Sequence, residues 1–146
     1  MEKPRKIVSH SVTVVLNKNG EILLEKRADD GFFDFPGGGL DPNETFEQGA
    51  IRELYEETGL IAKNLILLAV YEGDITYYKY PNGDEVYGID HIFIVDDFEG
   101  ELNPQLEEVE SLKFYKLEDF PSKMSPRNKQ LISDLKIYLN KYWNTL

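Results

Sequence analysis

The sequence contains no cysteine and only two histidines, His10 and His91. Disulfide bonds and thiolate zinc sites are therefore excluded, and any bound metal must take oxygen ligands or these two scattered imidazoles. No apolar run approaches the roughly 20 residues that a membrane-spanning helix requires, and the amino-terminal apolar run lacks the pattern of a signal peptide. We therefore expect a soluble, cytoplasmic protein without a membrane partner.

Basic residues are scarce. The chain has 16 lysines and arginines against 27 aspartates and glutamates, a formal net charge of −11. A surface this acidic repels phosphate backbones at long range, so a nucleic-acid duplex is not an expected partner. An acidic protein can still act on an anionic small molecule if divalent cations reverse the field at its site.

The chain shows no repeat, low-complexity tract or linker, so residues 1–146 are interpreted as one domain. Strand-like segments alternate with two well-separated helical patterns, which predicts an α+β fold with a mixed sheet between helices. The predicted strands are Val8–Leu16, Glu21–Lys26, Phe33–Phe35, Leu65–Tyr80, Val86–Val95 and Leu112–Lys116, with a turn at Pro81–Asp84.

Local signals mark the ends of the two predicted helices. Thr45 and Gln48 have capping-box spacing, and Gly59 stands where a helix begun at Thr45 would stop. The last helix is predicted to begin at Ser125, whose hydroxyl would cap it, with Pro126 in its first turn.

Three glutamates of the first helix share one face. Glu53, Glu56 and Glu57 fall at i, i+3 and i+4, and Arg52 reaches Glu56 at i+4. Each like-charge pair costs about 3 kcal/mol at an effective dielectric near 20, so a cleft location requires a cation among the oxygens. Hard oxygen ligands favour Mg²⁺ or Mn²⁺. Taken alone, the acidic face also fits a solvated surface.

The surrounding spacing favours the metal site. Gly38 is followed after five residues by Glu44, and after seven more by Arg52-Glu53-Leu54, Glu56-Glu57 and Gly59-Leu60. In this spacing the chain resembles the Nudix hydrolases, and Phe33-Asp34-Phe35-Pro36-Gly37-Gly38 resembles the family's entry to the motif. Phe33 stands where tryptophan is more usual in that family.

The resemblance implies an α/β/α sandwich and metal-dependent hydrolysis of a nucleoside diphosphate joined to another group. The implied metal ligands are Glu53, Glu56 and Glu57, with a backbone carbonyl at Gly37 or Gly38 as a further ligand. Arg52 would orient the carboxylates, and Glu44 would be an outer ligand or a hydrogen-bond partner.

The general base is left open by the sequence. In the family it is a glutamate of the motif, here Glu53 or Glu57, or one from a later loop, here Glu107 or Glu108. The later pair also fits a solvated loop. Arg27 ends a predicted strand before the glycines, where it would contact substrate phosphate.

The substrate features favour a nucleoside triphosphate. Phe33 or Phe35 is a candidate to stack on a base, although aromatic residues at strand ends are also typical of a core. Asn128 resembles the base-reading asparagine of MutT-type nucleoside triphosphatases, with a helix-capping or surface role as its alternative. By the same resemblance, an oxidised purine nucleotide is the leading case.

Other functions stay open. Tyr77 and Tyr78 resemble a tyrosine of dinucleoside polyphosphate hydrolases, whereas Pro81 lies too late for the proline of ADP-ribose pyrophosphatases. A catalytically inactive, nucleotide-sensing module is a further alternative, disfavoured by the intact motif. The sequence does not fix the oligomeric state, and the aromatic stripe Tyr77–Tyr80 is the candidate contact of a possible homodimer.

Overall fold

The computed structural model describes residues 5–80 and 82–143. The helices are α1 (Phe46–Thr58) and α2 (Lys129–Tyr138), and the strands are β1 (Lys6–Val15), β2 (Ile22–Arg27), β3 (Phe33–Asp34), β4 (Gly37–Gly39), β5 (Ile61–Ala62), β6 (Ile66–Glu72), β7 (Tyr78–Lys79), β8 (Glu85–Val95), β9 (Phe98–Glu99) and β10 (Val109–Tyr115). Short 3₁₀ turns cover Gly73–Thr76, Leu117–Asp119 and Pro126–Asn128, and a π-helical turn covers Leu139–Trp143.

The central sheet is mixed. Its strand order is β4-β1-β8-β6, with β7 also paired to β8. β1 and β8 are parallel, and the pairs β1–β4, β6–β8 and β7–β8 are antiparallel. An antiparallel sheet of β10-β2-β3 and the two-stranded pair β5–β9 complete the described strands.

Consecutive residues of the central strands pack into two separate hydrophobic cores. Val14 packs in a cluster with Leu131 and Leu135 of α2, whereas the next residue, Val15, packs in a cluster with Leu54 of α1. Side chains alternate between the two faces of a strand, so one helix covers each face. β2 does the same, with Leu24 in the α2 cluster and Leu23 in the α1 cluster. This arrangement confirms the predicted α+β sandwich with a mixed sheet between helices.

Several predicted boundaries are corrected by the structure. The segment predicted as one strand over Leu65–Tyr80 is broken after Glu72, and Gly73 begins the intervening 3₁₀ turn with a φ of 78°, a conformation that favours glycine. The last long strand, predicted over Leu112–Lys116, begins earlier, at Val109. In the predicted turn after Tyr80, Gly83 donates a backbone hydrogen bond to the Tyr80 carbonyl at 2.9 Å, and Pro81 lies outside the described residues.

The predicted start of the last helix is also corrected. The Ser125 side chain makes no capping hydrogen bond, and its carbonyl instead accepts from the Asn128 amide at 3.0 Å, which closes a 3₁₀ turn. Pro126 lies in that turn, as Pro at a helical start is expected to do. Asn128 likewise makes no side-chain cap, so its alternative role as a capping residue is wrong. In the part of the chain described, no helix is both long and apolar enough to cross a membrane.

Candidate active site

The capping signals fix where α1 begins and ends. The Thr45 hydroxyl accepts from the Gln48 amide at 3.1 Å, and the Gln48 side chain accepts from the Thr45 amide at 2.9 Å, so both halves of the capping box are formed. Gly59 ends the helix at a φ of 80°. Between these ends Leu54 is fully buried, which fixes the rotation of α1 about its axis.

This rotation gives the three predicted carboxylates different surroundings. Glu57 is 7% exposed and accepts from the Gly37 amide at 2.9 Å. Glu53 lies against Gly38 so closely that a Cβ at that glycine would stand 2.6 Å from its carboxylate. The Glu56 side chain is 56% exposed. The glycine strand β4 therefore allows two carboxylates to approach the backbone, while the third lies at the rim.

Arg52 ties the acidic groups together. Its guanidinium donates to Glu44 at 2.7 and 2.9 Å, to Glu53 at 3.0 Å and to Glu56 at 3.2 Å, and to the Gly39 carbonyl at 3.0 Å. Hydrogen bonding to Arg52 lowers the pKa of Glu44 to about 2. Of the two roles implied for Glu44, the structure favours the hydrogen-bond partner, because Arg52 engages both of its carboxylate oxygens.

A fourth carboxylate was missed by sequence reasoning. Glu25, the fourth residue of β2, is 5% exposed and lies in contact with Glu57. Among the described residues its Oε2 has no hydrogen-bond partner. Burial and the charge of Glu57 raise the pKa of Glu25, and burial raises that of Glu57. All of Ile22–Glu25 is buried, so the period-two alternation that separates inside from outside gave no signal here.

These groups fit a divalent cation by their chemistry. Among residues 5–80 and 82–143, no three histidine or acidic side chains converge into a ready-made ion site. Magnesium, however, is commonly held by one or two carboxylates and completes its shell with water or substrate phosphate. A buried, unpartnered carboxylate oxygen beside a second buried carboxylate is a costly arrangement that a cation would relieve. The oxygen-only donors suit Mg²⁺ or Mn²⁺.

A cavity of about 340 Å³ opens beside this cluster. Its lining includes Glu25, Glu57 and Gly38, together with Asn128 and Tyr78. Its size lies within the range of small-molecule sites. We call it the central pocket.

Asn128 is held in the central pocket by a residue that sequence reasoning did not select. Its side-chain amide donates to Asp34 Oδ1 at 2.7 Å. Burial raises the pKa of Asp34 even though Asn128 opposes the shift. Arg27 also lines this pocket, but its guanidinium donates to Asp29 at 2.8 and 3.1 Å, so much of its charge is already engaged.

The structure corrects Phe35, and it places Phe33 and Tyr77 outside the lining of the central pocket. Phe35 is 3% exposed and packs against Phe120 in the core, so it does not present a ring to a ligand. Phe33 meets Tyr115 edge to face and lines a separate cavity. The Tyr77 hydroxyl donates to Glu85 at 2.8 Å and does not line the central pocket. Tyr78 lines that pocket instead.

The later acidic loop lies near the motif. Burial raises the pKa of both Glu53 and Glu57, and the charge of Glu108 adds to both shifts, so this exposed carboxylate lies within electrostatic reach of the cluster. The histidines are separate from the cluster: His10 contacts Asp90 at 3.0 Å, and His91 stacks on Phe46 with ring centroids 3.5 Å apart.

Comparison with known proteins gives consistent results. A profile of the NUDIX domain matches residues 6–135. The chain is 35% identical over 123 residues to a putative 8-oxo-dGTP diphosphatase of Bacillus subtilis strain 168, which covers 84% of this chain and 76% of that protein. It is 34% identical over 127 residues to an ADP-ribose pyrophosphatase of Methanocaldococcus jannaschii, covering 85% and 70%. The crystal structure of a MutT NUDIX hydrolase from Burkholderia pseudomallei shares the fold, with a TM-score of 0.76 at 23% identity over 89% of this chain and 98% of that one.

Proposed function

Because this chain belongs to the Nudix family of pyrophosphohydrolases, we propose that it hydrolyses a purine nucleoside triphosphate to the monophosphate and pyrophosphate. An oxidised guanine nucleotide is the leading case. The observation that carries the proposal is that the central pocket contains both the Glu57 carboxylate and the Asn128 amide. A nucleotide has the matching pair of features, a polyphosphate and a base edge.

Asp34 determines which atom of Asn128 is available to a base. The Asn128 side-chain nitrogen donates to Asp34 Oδ1 at 2.7 Å, so this nitrogen faces Asp34. The Asn128 oxygen is then left to accept an N–H from the base. Guanine, adenine and cytosine edges all carry such donors, so the purine preference rests on the resemblance of Asn128 to the base-reading asparagine of MutT-type enzymes. This fixed polarity supports base reading by Asn128, because a freely rotating amide would accept either hydrogen-bond pattern.

The polyphosphate end is assigned to the motif. Glu53, Glu56 and Glu57, with a carbonyl at Gly37 or Gly38, would hold Mg²⁺ or Mn²⁺. When bound, such a cation would neutralise the charge of the diphosphate and activate a water molecule. Arg52 keeps Glu53 and Glu56 oriented through its hydrogen bonds, with Glu44 holding Arg52 in turn.

The protein must also accept the proton of the attacking water. We assign this role to Glu108, because it is exposed, lies near Glu53 and Glu57, and is not one of the carboxylates bound by Arg52. Glu53 and Glu57 are the alternatives within the motif, and Glu107 is the alternative in the loop. A Glu108→Gln variant should lose kcat with little change in KM. The same loss in Glu107→Gln, with Glu108→Gln active, would instead assign the role to Glu107.

A second candidate substrate is ADP-ribose, which is favoured by the 34% identity to a protein named for that activity. The corresponding experiment is a steady-state panel at saturating Mg²⁺: 8-oxo-dGTP, dGTP, dATP, dCTP, a dinucleoside tetraphosphate, ADP-ribose and a nucleotide sugar. We expect a purine triphosphate to give the highest kcat/KM. A higher kcat/KM for ADP-ribose than for every triphosphate would overturn the substrate assignment without affecting the proposed metal site.

Base reading is tested separately on the variant Asn128→Ala. Its kcat/KM for the preferred purine should fall about 5- to 150-fold, since an unpaired polar edge costs about 1–3 kcal/mol. Its kcat/KM for dCTP should change far less. Asn19→Ala, which removes an exposed amide from the β1–β2 turn, is the matched control. Equal losses on purine and pyrimidine would contradict base reading by Asn128.

A further inference from the structure

Glu25 lies outside the motif and carries a carboxylate into the central pocket. It belongs to β2, whereas the motif glutamates belong to α1. Its residue exposure is 5%, it lines the pocket, and its Oε2 has no partner within the described part of the chain. A buried polar atom without a partner is rare in folded proteins and calls for a specific explanation.

Among the described residues, the positive side chain that acts on Glu25 is Arg27, which is engaged by other acids. The neighbouring cation, Arg27, donates to Asp29 at 2.8 Å and lies 3.9 Å from Asp34. Glu57 is itself an acid, and its Oε2 already accepts from the Gly37 amide. Two carboxyl groups in contact in a buried site need a proton or a cation between them.

We propose that Glu25 is a ligand of a divalent cation that it shares with Glu57 in the central pocket, a position outside the Nudix motif. Two carboxylates from two different elements match the way proteins hold Mg²⁺, whose remaining positions go to water or to substrate phosphate. The proposal rests on the proposed function, since Glu57 belongs to the metal-binding face assigned there. It adds a ligand from the sheet to those from the helix.

The alternative is that Glu25 keeps a proton and donates a hydrogen bond to Glu57. The variant Glu25→Gln separates the two cases, because a glutamine amide can replace the donor of a protonated carboxyl but cannot replace an anionic ligand. Glu110→Gln is the matched control. Glu110 lies on the neighbouring strand β10, its side chain is 56% exposed, and it forms an ion pair with Lys26.

The test is calorimetric titration of the metal-free proteins with Mn²⁺, without nucleotide. If Glu25 is a ligand, Glu25→Gln should raise the Kd of one Mn²⁺ by about tenfold or more, and Glu110→Gln should leave it unchanged. An unchanged Kd in Glu25→Gln overturns the proposal and assigns the proton to Glu25. Circular dichroism of each variant checks folding.

A second measurement needs no variant. In crystals of the wild-type protein soaked in Mn²⁺, an anomalous difference peak should lie about 2.0–2.6 Å from a Glu25 oxygen. A peak confined to Glu53 and Glu56 would overturn the role of Glu25 while keeping the proposed metal-dependent function. No Mn²⁺ binding by the wild-type protein at all would instead overturn the proposed metal centre.

Discussion

At Glu57, a carboxylate is both buried and bound by the Gly37 amide, so its replacement by glutamine changes charge with little change in shape. We expect Glu57→Gln to lower Mg²⁺-dependent kcat at least about 100-fold. The metal-free variant should melt no lower than the wild type, because the repulsion from Glu25 is relieved. Rates and melting curves in Mg²⁺ and in chelator measure both effects.

Glu47→Gln is the control for that substitution. Glu47 lies in the first turn of the same helix and is exposed, so activity should persist. Equal wild-type rates in chelator and in Mg²⁺ would contradict the assignment of the motif glutamates.

The pair of Glu25 and Glu57 predicts a pH dependence of stability without metal. Burial raises both pKa values in the folded state, the charges of Glu57 and Asp34 raise that of Glu25 further, and Arg27 opposes the shift at Glu25. Above about pH 5 the unfolded chain therefore binds fewer protons than the folded one, and the free energy of unfolding falls as the pH rises. In chelator, the Tm advantage of Glu25→Gln over the wild type should grow from pH 5.5 to 8.5. A constant difference across this range would show that the pair does not titrate in it.

The sequence predicted residues whose positions follow from helix periodicity. Glu53, Glu56 and Glu57 share a face in any helix that begins at Thr45, and the capping box fixes that start. Glu25 could not be selected in this way, because its burial follows from the sheet being covered on both faces. The hydrogen bond between Asp34 and Asn128 could not be predicted either, because Asn128 lies 94 residues along the chain.

The three glycines of β4 differ in which atoms lie close to them. A Cβ at Gly37 would meet the Ser11 carbonyl at 2.5 Å, whereas one at Gly38 would meet the Glu53 carboxylate at 2.6 Å. At Gly39 the nearest such atom is 3.9 Å away. Alanine should therefore disturb the sheet at the first position, the site at the second and neither at the third.

We expect Gly37→Ala to destabilise the protein by about 1–3 kcal/mol, since a backbone atom cannot move aside easily. Gly38→Ala should instead displace Glu53, with a small change in Tm and a large loss of Mn²⁺ affinity. Gly39→Ala is the control for both. Melting curves and Mn²⁺ titrations on the three variants measure the pattern. Equal Tm losses at Gly37 and Gly38 would contradict it.

The presence of each helix was easier to predict from the sequence than the residues at which it begins and ends. The first helix has signals at both ends, and the structure confirms both. The last helix has Ser125 and Pro126 where a helix would start, yet the chain forms a 3₁₀ turn there, and the Asn128 side chain bonds to Asp34 in the pocket. Tertiary contact overrode a local signal, and a single sequence carries no record of such contacts.

At the scale of the whole molecule, a net charge of −11 opposes the compact state, and its buried acids add to that cost. A cation that binds only the folded protein should therefore raise Tm, by an amount equivalent to about 2.7 kcal/mol at 100 times its Kd. Thermal melts in Mg²⁺, Mn²⁺ and chelator measure this gain. No gain in the wild-type protein at millimolar Mg²⁺ would contradict the proposed site.

Two molecular properties stay predictions. One is that residues 1–146 form a single domain. The other is the homodimer contact at the aromatic stripe, where Tyr77, Tyr78 and Tyr80 are 39%, 40% and 47% exposed. Because Tyr78 also lines the central pocket, a partner seated there would reach the pocket as well. Sedimentation of the wild type beside Tyr80→Ser would measure whether the stripe supports self-association.

The parallel pairing of β1 with β8 has a consequence for biosynthesis. His10 and Asp90 face each other across these two strands and are 80 residues apart in the chain. Helix α1 lies between the two strands in the sequence. During translation α1 can form on its own capping signals, but β8 and then Asn128 leave the ribosome only later. Long-range parallel pairing is also slow to form. We therefore expect nascent chains to display the acidic helix before any nucleotide pocket exists, so neither substrate nor product can assist early folding.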